Sequence, residues 1–212
     1  MVWSPEREFF AFTIGSIVCA EDLKSGKQKL LYDHQEDITV LTLRHDNSQM
    51  ASASAYLLQT KPNSSKGLFN SSIKSVQSQI TIWNCENFEI FINLFHKNSS
   101  NITCMNYSRD DRFLISIGDY KTPSLIIWNT YDYSCLVSMD NLNHVIHDIA
   151  WNPCKCNEFV MCGQNKMLIV WSLDEKPMRT GSLRSFECEI PLAICEVSIL
   201  SFSTYLTSFF NF

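Results

Sequence analysis

The sequence predicts an all-β fold in which one four-stranded sheet is repeated and stacked, and three observations predict it. A Trp-ended phrase occurs three times, as "QITIWNC" (79–85), "SLIIWNT" (124–130) and "MLIVWSL" (167–173), the tryptophans lying 45 and 43 residues apart. The same kinds of strand-like run surround each copy in the same order. No stretch keeps apolar residues at spacings of three and four, so helices should be scarce.

The chain opens on a degenerate unit, "WSPEREFFAFTIGSIVCAEDLKSGKQ", in which Cys19-Ala20 stands where the Trp phrase would end. The second unit runs "ITVLTLRH", "QMASASA", "QITIWNC", "FEIFINLF", with Asp46-Asn47-Ser48 as the tight turn between its first two runs. An insertion rich in Ser, Lys and Asn, residues 57–78, separates its second run from its third. The third unit runs "ITCMNYS", "RFLISIG", "SLIIWNT", "SCLVSM", turning at Arg109-Asp110-Asp111. The fourth runs "HDIAWNP", "EFVMCG", "MLIVWSL", with Pro153 and Asn157 at its first turn. Residues 182–212 form a tail that could open a further unit.

Four short strands per unit of about 43 residues is the arithmetic of a β-propeller blade. A sheet of that size cannot bury both faces alone, so it needs copies of itself on either side. The units resemble WD40 repeats, whose blades end in Trp-Asp and begin near Gly-His. The Trp-Asp position reads Trp83-Asn84, Trp128-Asn129 and Trp171-Ser172, and the Gly-His position reads Asp33-His34, Phe95-His96 and Asn143-His144. The resemblance covers about Trp3 to Asp174, inside a propeller region of residues 1–181 with blades ending near 19–23, 82–84, 127–129 and 170–172. It implies a buried tetrad of Trp, Ser/Thr, His and Asp in each blade. Its candidates are His34, Ser52 or Ser54, and Trp83 in one blade, and His96, Ser116, Asp119 and Trp128 in the next. In the last blade only His144 and Trp171 remain, with Cys162 and Asn165 in the strand and turn that would supply the rest.

Closing a propeller takes about four to eight blades. Three full blades and a partial first one leave the ring open, so further blades from a longer parent chain are expected. Open faces of this kind would otherwise promote aggregation.

Composition narrows the functional classes. A net charge of −5 with no basic run disfavours nucleic-acid binding. The first ten residues lack the charged and apolar regions of a signal peptide. Nine cysteines, an odd number, then read as free thiols in a reducing cytoplasm. On the same grounds the Asn-x-Ser/Thr triplets at Asn63, Asn70, Asn98, Asn101 and Asn106 are chance matches. Residues 190–212 are apolar enough to raise a membrane span, but Pro191, Glu196 and many hydroxyls favour sheet core.

Chemistry is sparse. His144, His147, Cys154 and Cys156 are ligand types close in sequence, yet Cys154-x-Cys156 is too short for a zinc knuckle, so no metal is assigned. No serine sits in a nucleophile elbow, Asp110-Asp111 occupies a turn, and no glycine-rich phosphate loop exists. No catalytic residue or cofactor is expected.

The resemblance implies a protein–protein interaction scaffold, since propellers of this type mostly lack chemistry of their own and hold several loops in fixed relation. In WD40 blades the loop between the second and third strands commonly faces partners, and here it is the insertion, carrying Lys61, Lys66 and Lys74 without an acid. The succession of loop lengths is similar to tandem-propeller WD proteins of microtubules, centrioles and cilia. That likeness implies tubulin or ciliary and centriolar partners and a cytoskeletal location in the cytoplasm. A ubiquitin-ligase or signalling adaptor recognising a peptide is the alternative, and a zinc- or thiol-dependent activity a more distant one.

Overall fold

In the computed structural model, residues 1–57, 76–97, 101–121, 123–164, 167–175 and 181–187 are described. They form sixteen strands and no α-helix. Blade 1 comprises β1 (Val2–Ser4), β2 (Phe9–Ile14), β3 (Ile17–Asp22) and β4 (Gln28–Tyr32). Blade 2 comprises β5 (Ile38–Leu43), β6 (Gln49–Leu57), β7 (Val76–Asn84) and β8 (Ile90–His96). Blade 3 comprises β9 (Ile102–Tyr107), β10 (Phe113–Gly118), β11 (Leu125–Asn129) and β12 (Cys135–Met139). Blade 4 comprises β13 (Ile146–Trp151), β14 (Glu158–Gly163), β15 (Met167–Glu175) and β16 (Gly181–Glu187). Every blade is an antiparallel meander in chain order, and the first strands β1, β5, β9 and β13 pack side by side, so the blades fan out in an open ring.

Two boundaries differ from the sequence reading. The hairpin of blade 2 extends into the insertion, with Leu57 ending β6 and Val76 beginning β7, because the two strands stay in register as far as that pair. Residues 181–187 complete blade 4 as β16 and so do not open a further blade. The rest of the tail, 188–212, with its apolar stretch from 190, lies outside the described residues. No helix among the described residues is long and apolar enough to cross a membrane.

Side-chain alternation builds the core between blades. The forward face of blade 1 (Phe9, Ala11, Val18, Ala20, Leu31) shares a buried cluster with Met50 and Trp83 of blade 2. Ala51, Ala53, Ile80 and Ile82 of blade 2 then cluster with Leu114, Trp128 and Tyr133 of blade 3. Ile115, Ile117 and Ile127 of blade 3 meet Phe159, Met161 and Trp171 of blade 4. Each Trp therefore belongs to the seam with the blade before it, and a one-residue register slip would turn it to the other face. The opposite face of blade 1 carries Trp3 and Ile14, 65% and 56% exposed, and the stacked rings of Phe10 and Phe12.

A bulge recurs near the start of the first strand in three blades, with Thr39, Thr103 and His147 as the extra residues. These side chains are exposed. Thr39 Oγ1 donates to the Ile102 carbonyl at 2.7 Å, and Cys104 Sγ to the His147 carbonyl at 3.1 Å, stitching adjacent first strands together.

Candidate functional site

The polar candidates gather in the seams. In blade 2, Trp83 pairs across the ladder with Met50, so Ser52, two residues further along β6, lies on the same face. Trp83 Nε1 donates to Ser52 Oγ at 2.8 Å, Ser52 Oγ lies 2.6 Å from His34 Nε2, and His34 Nδ1 lies 2.7 Å from Ser54 Oγ. Ser54 Oγ donates to the Ala55 carbonyl at 3.1 Å. A neutral imidazole has one donor and one acceptor, which sets the direction of the chain. The Trp83 N–H feeds Ser52, whose hydroxyl feeds Nε2, while Nδ1–H feeds Ser54. Both serines are used, so the choice between Ser52 and Ser54 dissolves. Beside it, Asp33 Oδ2 accepts from Thr81 Oγ1 and Gln79 Nε2, both at 2.6 Å. The Asp33-His34 dipeptide thereby holds β6 with one side chain and β7 with the other.

Blade 3 repeats the motif with the imidazole turned over. Trp128 Nε1 donates to Ser116 Oγ at 3.0 Å, Ser116 meets His96 Nδ1 at 3.0 Å, and Ser124 meets His96 Nε2 at 2.8 Å. Asp119 is buried in the turn after β10 and accepts the Lys121 backbone N–H at 3.0 Å. Ser124, one residue before β11, is not among the sequence candidates because the first residue of the repeated phrase varies in type, being Gln79 in blade 2 and Met167 in blade 4. Burial holds both imidazoles at a pKa of about 4, overriding the opposing pull of Asp33 on His34 and Asp140 on His96. Neutral rings suit these networks, because a cation would strand a proton against a hydroxyl that must itself donate.

Among the described residues, blade 4 has no such network. Trp171 pairs with Phe159, so the register position of Ser52 and Ser116 is taken by Met161. Cys162, suggested for that role by sequence, is one residue out of phase and only half-buried on the other face. Gly163 occupies the position of Ser54, where any Cβ would come within 2.2 Å of the Val145 carbonyl. His144 is exposed, and Trp171 Nε1 is buried without a hydrogen-bond partner among the described residues. Asn165 lies outside the described residues, as do Lys61, Lys66 and Lys74.

In the degenerate blade 1, the residue opposite Phe10, the register counterpart of Met50, is Glu21; Cys19 falls opposite Phe12. Cys19-Ala20 therefore does not take the place of a Trp.

The turns form a second set of links between blades. Asn47 Nδ2 donates to Glu6 Oε2 at 3.1 Å, and Arg109 Nη1 to the Pro153 carbonyl at 3.0 Å. Between them, the Asp111 carboxylate accepts the backbone N–H groups of His45 and Asp46 at 2.9 and 2.8 Å and lies 3.0 Å from His45 Nδ1. Asp111 has φ of +58°, as Asn47 has +57°, a left-handed conformation that Asn and Asp tolerate. Asn84 and Asn129, which stand where the Asp of Trp-Asp would, accept backbone N–H groups two residues on at 2.8 and 3.0 Å. Asp111→Ala should lower the unfolding free energy by roughly 1.5–3 kcal/mol, the range for hydrogen bonds to a charged group. Asp111→Asn should cost less. Denaturant titration of the two variants checks this, and equal losses would contradict the strap.

No group of three or more His, Cys, Asp or Glu that could hold a metal ion occurs among the described residues. His147 is the second residue of β13, while Cys154 and Cys156 lie beyond its end. Cys85 and Cys104 are buried, and burial pushes their thiols up to about 12, away from the thiolate form.

No protein-family model matches the chain. WD repeat-containing protein 90 of Xenopus tropicalis is 29% identical over 97% of this chain, and its Homo sapiens counterpart 31% identical over 83%. The chain spans 10% and 9% of their respective lengths. Cilia- and flagella-associated protein 52 of Mus musculus is 22% identical over 80% of this chain, which spans 25% of it. Among solved structures, a chain of the crystal structure of the Mitotic Checkpoint Complex superposes with a TM-score of 0.61 at 14% identity, covering 88% of this chain and 51% of that one. The crystal structure of RRP9 WD40 repeats gives 0.58 at 12% identity, covering 86% and 49%. With its period, its stacked four-stranded blades and these relatives, the chain belongs to the WD40-repeat proteins.

Proposed function

We propose that this chain is a non-catalytic protein–protein interaction scaffold that acts on microtubule-based structures. The observation that carries the cytoskeletal part is its similarity, across 80% of its length, to a protein named for cilia and flagella. The scaffold part rests on construction: blades bound through buried seams and chained turns hold their loops in fixed relation, which suits docking rather than turnover. Lys61, Lys66 and Lys74 supply a basic finger for an acidic surface such as that of a microtubule.

Co-sedimentation with polymerised tubulin tests the reading. The full chain should pellet with the polymer, and added salt should release it, because screening weakens contacts between exposed charges. Replacing the three lysines by Glu should reduce pelleting several-fold. A chain that stays in the supernatant at every tubulin concentration refutes the microtubule role. Undiminished pelleting of the triple variant refutes the finger alone.

A further inference from the structure

The seam between blades 3 and 4 contains a cavity of about 220 Å³ where the two preceding seams carry their His–Ser–Trp networks. Its apolar wall is formed by Ile146, Ile169, Trp171 and the three methionines Met139, Met161 and Met167. Asp140, Asn141, Asn143 and His144 make the polar part, all four exposed. Trp171 is only 7% exposed, and its ring N–H has no partner among the described residues. Buried Trp N–H groups ordinarily find an acceptor, and leaving one unpaired costs about 1–3 kcal/mol.

We propose that this cavity is a binding pocket for one apolar side chain of a partner peptide, followed by a basic residue. The volume is below the roughly 300–1,000 Å³ of sites for drug-sized ligands, yet above the roughly 150 Å³ that holds a benzene-sized group. It fits a single side chain of Leu or Met size. A charge would be desolvated against the methionine wall, so the entering group is uncharged. The peptide carbonyl beside it supplies the acceptor that Trp171 lacks. The N–H is sealed by its neighbours, and methionine, with its unbranched flexible chain, is the residue best able to move aside for that carbonyl. Apart from His144, Asp140 is the one ionisable residue among the described residues lining the pocket, which selects a cationic neighbour on the peptide. The pocket does not depend on tubulin binding.

The test uses the full chain labelled with ¹⁵N at its indoles, titrated with capped dipeptides. Acetyl-Leu-Lys-amide should shift the Trp171 indole signal saturably, acetyl-Leu-Glu-amide several-fold more weakly, and acetyl-Gly-Lys-amide not at all. Met161→Ser places a hydroxyl at the register position of Ser52 and Ser116. It should move the unliganded Trp171 signal and weaken the response to peptide. Asp140→Asn, a surface change, should abolish the preference for Lys over Glu while leaving the Leu response. No Trp171 shift up to the solubility of acetyl-Leu-Lys-amide, equal responses to all three peptides, or undiminished binding in Met161→Ser would each overturn the proposal.

Discussion

Acidification from pH 7 to about 4 should cost the folded chain roughly 3 kcal/mol for each of His34 and His96, following the conversion of a pKa difference into stability. Burial holds both rings near a pKa of about 4, against an ordinary value of 6.5. Between those values the unfolded chain takes up the proton that the folded chain refuses. The contribution is complete above pH 6.5 and is lost progressively as pH falls toward 4. Asp148, whose carboxyl is pushed up by burial, pulls the other way as it protonates. Asp46 and Asp110, held low by hydrogen bonds from serine and by arginine, act below the histidine window. Denaturant midpoints measured from pH 7 to 4 should therefore fall steeply, and a His34→Gln/His96→Gln chain should show a much flatter profile. If the wild-type profile were flat over that window, the rings would not be neutral members of the seams.

Trp128→Ala should cost roughly 3–5 kcal/mol, the range for emptying a large aromatic from a core. The ring is 6% exposed and lies in the cluster that joins blades 2 and 3, so its loss opens a cavity between two sheets. It also takes from Ser116 the N–H that this hydroxyl accepts at 3.0 Å. Phenylalanine replacements separate the two effects. Trp128→Phe deletes a paired N–H, whereas Trp171→Phe deletes an unpaired one. The first should therefore destabilise more than the second by about 1 kcal/mol, the net worth of one buried hydrogen bond. Thermal or denaturant unfolding reads the difference. Equal losses would mean that Trp171 has a partner after all.

The all-β class and the order of strands were legible in the sequence because both follow from local pattern. Alternating runs, tight-turn residues and a repeated Trp phrase each act within a few residues of chain. The histidines before β5 and β9 and the tryptophans in β7 and β11 could be named for the same reason, since they recur at fixed offsets. Ladder register could not be read this way. Whether Cys162 or Met161 stands beside Trp171, and whether Cys19 or Glu21 stands opposite Phe10, depends on which residues face each other, and one step reverses the answer.

The sequence by itself determined a repeated β unit with a buried Trp, because hydrophobic alternation and turn chemistry are properties of neighbouring residues. Only the tertiary structure decided that Asp111 ties two blades together, that Ser124 completes a histidine network, and that blade 4 has a cavity in place of one. Each of those joins residues from different strands or blades, and their meeting is settled by how the sheets stack, which no local stretch of chain encodes.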